Sequence, residues 1–310
     1  MNVANESVRR SVARVDGLLL LNKPAGITSN RALQKVKRLL KAKKAGHTGS
    51  LDPAATGMLP LCFGEATKVC AYLLEADKTY RVTARLGEAT NTGDGDGEIT
   101  STAPVPDLGR EAWEQVLERF LGETEQVPPM YSALKKDGKR LYELARKGQV
   151  VHREPRRIRI DDICLLEVSA ARLVCRVKCS KGTYIRTLVE DIAIAAGTVA
   201  HTAQLHRESV GDFRAEDMLD LPGAEQLAAD GPRALRERLL PTDLALTSWP
   251  ESHISAVAAE HFSGGQVVSA EPVGTVGLVR VYGQERKFVG VGWLSEDGQL
   301  APRRVFRLEG

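Results

Sequence analysis

Apolar and polar positions change period repeatedly along the chain, and each change marks an element. Gly17–Leu21 is an apolar run stopped by Asn22-Lys23-Pro24, which predicts a buried strand. Ser29 then serves as N-cap for a helix through about Leu40, with Ala32, Leu33, Val36, Leu39 and Leu40 at helical spacing. That spacing turns Lys35, Lys37, Arg38 and Lys41 to solvent. The segment Gly46–Gly57 follows neither period. Its glycines, proline and small polar residues describe a constructed loop, the kind of element where functional groups collect. A helix over Ala66–Glu75 and a strand over Lys78–Leu86 come next, then a glycine-rich acidic turn at 87–98 and a helix over Arg110–Leu121. Residues 124–152 open on Pro128-Pro129 and form an exposed excursion. Leu173 to Cys179 alternates cleanly as a half-buried strand, and Ser180-Lys181-Gly182-Thr183 turns it into a helix from Tyr184 to Ala196.

The pattern changes again near Trp249-Pro250. Short strand signals at Gln266–Val268, Gly277–Val281, Phe288–Trp293 and Arg304–Leu308 are separated by Gly283 and Asp297-Gly298. They predict an all-β tail closed as a small barrel.

Composition alone adds little, because a net charge of +3 over 310 residues is ordinary. The distribution of charge adds more. Residues 31–44 carry seven bases and no acid, 135–159 carry ten bases against three acids, and 88–125 carry ten acids against two bases. Two basic stretches offset by an acidic one outline a directional surface for a polyanion, although solvated helix faces give the same counts. The five cysteines form no CxxC pair or zinc spacing, and Cys175 and Cys179 share one face of a strand as buried thiols. The N-terminal residues lack an apolar signal core and no stretch is long enough to span a bilayer, so a cytoplasmic, reducing location is expected.

The strongest chemical signal is His47-Thr48-Gly49-Ser50-Leu51-Asp52-Pro53. Asp52 precedes a proline that biases it away from helix, and its small neighbours permit close approach of a large substrate. A carboxylate so placed can act as nucleophile or general base, or simply form a turn. Metal readings fail on spacing. Asp94, Asp96 and Glu98 imitate a calcium loop, but Ile99 and Val105 occupy its sixth and twelfth positions. His47 has no second histidine at helical spacing, and there is no phosphate-binding glycine loop. Neither metal nor cofactor is expected.

Longer motifs point further. Asn22-Lys23-Pro24-x-Gly26-x-Thr28-Ser29 is followed by Gly46-His47-Thr48-Gly49-x-Leu51-Asp52-Pro53-x-Ala55-x-Gly57-x-Leu59-Pro60, then Gly64-x-Ala66-Thr67-Lys68 and Lys78-x-Tyr80. Gly87-x-x-Thr90-x-Thr92-x-Asp94-x-x-Gly97, Pro128-Pro129-x-Tyr131-Ser132-Ala133 and Gly182-Thr183-Tyr184-Ile185-Arg186 continue the series. In order and spacing, over roughly residues 17–210, these resemble the bacterial tRNA pseudouridine-55 synthase family (TruB). The tail resembles a PUA-type RNA-binding module, at Gly277-Leu278-Val279-Arg280 and Ala301-Pro302-Arg303-Arg304.

The resemblance implies an isomerisation of uridine to pseudouridine in the T loop of tRNA, at position 55, by base flipping and without a guide RNA. It makes Asp52 the catalytic carboxylate, Tyr80 the ring stacked on the flipped base with a part in proton transfer, and Arg186 the partner that keeps Asp52 ionised. His47 would fill the space the base vacates and Asp94 would contact Arg186. Tyr184 and Leu205 would line the uridine pocket, and Lys68 and Lys23 would lie near the loop. A cation at a helix start is disfavoured by the helix dipole, which independently asks for a partner to Arg186. Whether Asp52 attacks sugar or base, or stabilises a glycal, stays open. The expected fold is α+β, a mixed and mainly antiparallel sheet with flanking helices over 1–248, with a thumb-like insertion at about 124–152 and a PUA-like barrel over 249–310. The expected partner is tRNA, bound by a monomer that needs no protein partner. Two rival readings remain: an RNA-binding chaperone that assists tRNA folding, a role compatible with the enzyme, and a glycosylase releasing free uracil.

Overall fold

The computed structural model describes residues 14–271, 274 and 276–308. Residues 1–13, whose composition argued against a signal segment, lie outside them. Among the described residues no helix is long and apolar enough to cross a membrane.

A nine-stranded mixed sheet draws its strands from residues 17–220. Its main path runs Leu219–Asp220, Gly17–Lys23, Thr56–Phe63, Ala200–Val210, Lys78–Leu86, Arg172–Cys179, Arg156–Ser169, Gly122–Gln126, and Ala45–His47 joins the side of Thr56–Phe63. Two pairings are parallel, those of Gly17–Lys23 with Leu219–Asp220 and of Ala200–Val210 with Thr56–Phe63. The others are antiparallel.

The apolar run at 17–21 is continuous because both faces of its strand are covered. Leu19 and Leu21, with Leu59, Leu61 and Phe63 of the neighbouring strand, pack on the helix Ser29–Leu40 through Ala32, Leu33, Val36 and Leu40. Leu18, Leu20, Met58 and Cys62 face the other way and meet Tyr282, Phe288 and Phe306 of the C-terminal sheet. One cluster therefore joins the two sheets. A further cluster fills the space between the Tyr80 strand, the helix Ile185–Ala195 and the buried Trp113 of the helix Arg110–Glu118.

Several expected boundaries shift. Thr28, not Ser29, caps the first helix by accepting from the Arg31 amide at 3.1 Å, which frees Ser29 for another partner. The 66–75 helix is a 3₁₀ turn over Gly64–Val69 followed by α-helix over Cys70–Glu75, and the third helix stops at Glu118. The excursion contains a Lys135–Lys136/Lys139–Arg140 hairpin turned by Asp137 and Gly138, both at positive φ, and a short helix Leu141–Ala145.

The tail is a five-stranded sheet in the order Glu251–His253, Gly277–Tyr282, Phe288–Leu294, Gln299–Val305, Val268–Ser269. Its pairings among the described residues form an open path, where a closed barrel was expected. The last strand lies at Gln299–Val305, upstream of the expected Arg304–Leu308, because Pro302 takes a register position opposite Gly292 in the antiparallel pair. Phe262 is fully buried against this sheet at Gly290 and Gly292, where added Cβ atoms would stand 2.8 and 3.2 Å from its ring. The glycines let the ring lie flush, and burying such a side chain contributes about 1.5–3 kcal/mol.

Gly57 shapes the site more directly. Its φ is +102°, and a Cβ there would stand 2.3 Å from the Arg207 carbonyl oxygen on the parallel neighbouring strand. Gly57→Ala is expected to cost more than the about 1–3 kcal/mol usual for overpacking, read as a shifted denaturant midpoint. A stability equal to native would show that the two strands separate without penalty.

Candidate active site

The loop between His47 and Thr56 has no regular structure of its own, so side chains from elsewhere hold it. The Ser29 hydroxyl accepts from the Leu51 amide at 2.8 Å and donates to the Leu51 carbonyl at 3.1 Å. The Lys23 ammonium is fully buried and donates to the carbonyls of Pro24 and Ile27 at 2.8 Å and of Pro53 at 3.1 Å. The Gly26 amide donates to the Pro53 carbonyl as well, at 2.9 Å. Arg207 binds the two ends of the loop, Nη2 to the Gly49 carbonyl at 3.0 Å and Nε to the Met58 carbonyl at 2.6 Å. With Leu51 and Ala55 buried on either side, Asp52 is presented from a fixed backbone and keeps 44% of its side chain exposed.

Arg186 meets that carboxylate. Its guanidinium, 7% exposed, places Nε 3.1 Å from Asp52 Oδ2 and Nη1 3.1 Å from Asp94 Oδ2. Nη1 also donates to the Thr92 carbonyl at 2.8 Å and Nη2 to the Tyr131 carbonyl at 2.6 Å. Asp94 is itself oriented by the Thr92 hydroxyl at 2.6 Å and the Asp96 amide at 3.2 Å. Of the three acids that imitated a calcium loop, Asp94 thus serves a guanidinium. Arg186 sits in the first turn of its helix, where the dipole disfavours a cation, and two carboxylates offset that cost.

The ion pair does not leave Asp52 a stronger acid than usual. Burial among the surrounding groups raises its carboxyl above the ordinary aspartate range, Arg186 opposes this, and Asp94 adds to the rise. Lys23 is displaced too. Burial lowers its ammonium to about 8, with Asp52 working against the fall and Arg207 adding to it.

Tyr80 lies across from Arg207 on the adjacent strand and is 9% exposed. Burial pushes its phenol up, and Arg207 opposes the rise. Tyr184 occupies the N-cap position of the Arg186 helix. Its amide and carbonyl are both held by the Gln126 side chain, and burial pushes its phenol up. The Leu205 side chain packs against the cluster containing Leu51, Ala55 and Tyr80. His47 has a buried Nδ1 with no partner among the described residues, and burial followed by Arg207 lowers its pKa. Lys68 is placed elsewhere. It pairs with Glu65 at 2.5 Å, donates to the Val305 carbonyl at 2.7 Å and sits 5.5 Å from the Phe306 ring centroid. It therefore tethers the C-terminal sheet and does not touch the Asp52 loop, because the 3₁₀ turn carrying it faces that sheet.

Three contributors escaped the sequence reading: Arg207, Gln126 and the non-capping role of Ser29. Arg207 left one signal, an arginine two residues after Leu205 and so on the inward face of a strand.

A loop aspartate paired to a helix-borne arginine, beside a buried tyrosine, is the arrangement that the longer motifs anticipated. Family models agree over most of the chain. The TruB family pseudouridylate synthase N-terminal domain matches residues 37–185, the tRNA pseudouridylate synthase B C-terminal domain 186–247, and the pseudouridine synthase II TruB C-terminal model 250–306. The chain belongs to the TruB family of pseudouridylate synthases. Among TruB relatives, a tRNA pseudouridine synthase B of Pseudomonas putida (strain GB-1) is 50% identical over 97% of this chain and 99% of its own. One of Pseudomonas aeruginosa (strain UCBPP-PA14) is 49% identical over 97% and 98%. The solved structure of a Cbf5–Nop10–Gar1 complex superposes with a TM-score of 0.73 at 25% identity, covering 94% of this chain and 85% of that one.

For this TruB family site, a carboxyl-carbon NMR titration, with Asp52→Asn to assign the signal, is expected to place Asp52 above the ordinary aspartate range. Replacing the cation by Arg186→Met removes the opposing charge and should move the midpoint further up. A midpoint that falls in that variant would mean the pairing does not act on Asp52.

Proposed function

We propose that this enzyme isomerises uridine to pseudouridine in the T loop of tRNA, at position 55, with Asp52 as the catalytic carboxylate and without a guide RNA. The observation that carries the reading is the Asp52–Arg186 pair, on a loop stapled from several sides and open on one, in a chain of the TruB family. The pair keeps Asp52 oriented while its exposed oxygen remains free to meet the nucleoside. The isomerisation detaches the base at nitrogen, turns it and rejoins it at carbon, so one carboxylate and a route for one proton suffice.

The target uridine is extruded from the folded loop and stacks on Tyr80, with Tyr184 and Leu205 beside it. His47, held neutral by its surroundings, occupies the gap left in the RNA. Because Tyr80 is largely covered, the base reaches its ring as neighbouring groups move aside. We assign that movement to the thumb-like segment about 124–152, whose Tyr131 carbonyl is bonded to Arg186. Lys135, Lys136, Lys139 and Arg140 are exposed on the same segment and suit phosphate contacts, which position RNA without reading its sequence. Residues 249–310 act as a PUA-like RNA-contact unit, supported by Trp293, 40% exposed, with the Arg303 guanidinium 5.6 Å from its ring centroid. The enzyme works as a cytoplasmic monomer. Relatives at about half identity over nearly the whole chain are named tRNA pseudouridine synthase B, and the multiprotein assemblies belong to the more distant solved structures.

Tritium release from uracil-C5-labelled tRNA tests the chemistry. Asp52→Asn is expected to lower release by at least about 100-fold while tRNA binding persists. Binding without release by the native chain would leave only a tRNA-folding role, and free uracil would mean a glycosylase. Limited proteolysis tests the thumb: cleavage within 127–152 should be fast in the free protein and suppressed by tRNA. Equal cleavage with and without tRNA would remove that segment from the binding surface.

A further inference from the structure

Arg207 is a buried charge that the reading above does not use. Among the largest fully buried side chains it ranks beside Trp113 and Lys23, it is 1% exposed, and no carboxylate pairs with it among the described residues. Burying an unpaired guanidinium is costly, and a neutral amide could equally well bond the Gly49 and Met58 carbonyls. A cation is called for only where its charge or its donor-only character acts on something. Its charge also reaches Lys23 and His47, and directly opposite it in the strand pairing stands Tyr80.

We propose that Arg207 is a positioning residue for the isomerisation, holding both ends of the Asp52 loop and fixing the direction and acidity of the Tyr80 hydroxyl. This rests on the isomerase reading. A guanidinium has no acceptor, so toward Arg207 the Tyr80 oxygen can only accept, with the phenolic proton turned away. The groups acting on that phenol come from three elements: Arg207 from one adjacent strand, Cys179 from the other, and Asp52 from the loop. Cys179 and Asp52 both disfavour a phenolate. Arg207 is the one cation among them that favours it.

The step this serves is loss of the C5 proton after the new carbon–carbon bond has formed. The C5–H bond breaks, its electron pair restores the C5–C6 double bond, and the proton passes to the phenolate oxygen of Tyr80. The nitrogen freed from the sugar takes its proton from water. Arg186 governs the carboxylate and Arg207 governs the phenol, so the two arginines divide the site.

The test compares native protein, Arg207→Gln and Arg207→Lys, full length, with T-loop-labelled tRNA. Single-turnover tritium release is followed from pH 6 to 9.5, beside tRNA affinity and thermal unfolding. Arg207→Gln should bind tRNA within about threefold of native yet release tritium ~100-fold more slowly at neutral pH. Both rates should climb with pH while that deficit holds across this range, since burial keeps the Tyr80 phenol above its ordinary range with and without the cation. Arg207→Lys keeps the charge and should retain the native pH dependence with a loss of about tenfold. A deficit equal in the two variants, or a rate that no longer climbs with pH in Arg207→Gln, would reduce Arg207 to a loop staple. Rates within about threefold of native in both would overturn the proposal entirely. Should Arg207→Gln fail to fold, the Lys variant decides alone: a pH dependence unlike native sinks the idea. Native protein that releases no tritium at any pH would instead remove the isomerase reading itself.

Discussion

One guanidinium shared between two carboxylates holds the candidate site together. Arg186 pairs with Asp52 and hydrogen-bonds Asp94 and the carbonyls of Thr92 and Tyr131, so its partners come from three separate chain segments. Bringing this charge out of water is tolerable only when all those acceptors are in place. The acidic turn, the thumb-like segment and the Asp52 loop must therefore each be correctly folded before the site exists. The same bond network that neutralises the arginine also orients the one carboxylate left partly open to solvent.

Around that pair the protein gathers cations that have no carboxylate of their own. Lys23 and Arg207 spend their donors on backbone carbonyls, those of Pro53 and Gly49 in the Asp52 loop among them. A loop tied by side chain to carbonyl contacts tolerates few changes of backbone path. Gly57, pressed against the Arg207 backbone, shows how closely the strands approach there. The positive charge that results suits a polyanionic substrate, and it adds to the burial that holds His47 and Lys23 toward their neutral forms.

The C-terminal sheet is joined to this scaffold through apolar contact. Tyr282, Phe288 and Phe306 share one cluster with Leu18, Leu20 and Met58, and Met58 also supplies a carbonyl to Arg207. Lys68 adds a polar tether to Val305. The strand that ends the Asp52 loop is thus packed against the module proposed to contact RNA beyond the uridine. A fixed spacing between the two surfaces follows from a shared core more readily than from a linker.

Much of this was readable from local pattern. The helix at 29–40, the strand at 78–86, the strand through 173–179 and the helix that follows it appear within a residue of where periodicity and turn residues put them, because those signals act over a few neighbouring residues. The motif around Asp52 pointed to its loop, and an arginine at a helix start pointed to a carboxylate partner. Other features depended on contacts across long stretches of chain. Ser29 looked like a cap until Leu51, 22 residues away, proved to be its partner. Lys68 matched a motif beside the loop yet faces a strand 237 residues on. The direction of the Asp52 pKa could not be inferred from its partner alone, since burial is set by everything packed around it. Residue type and spacing determined which groups the chain carries; only the completed packing decided which of them meet, and in what dielectric.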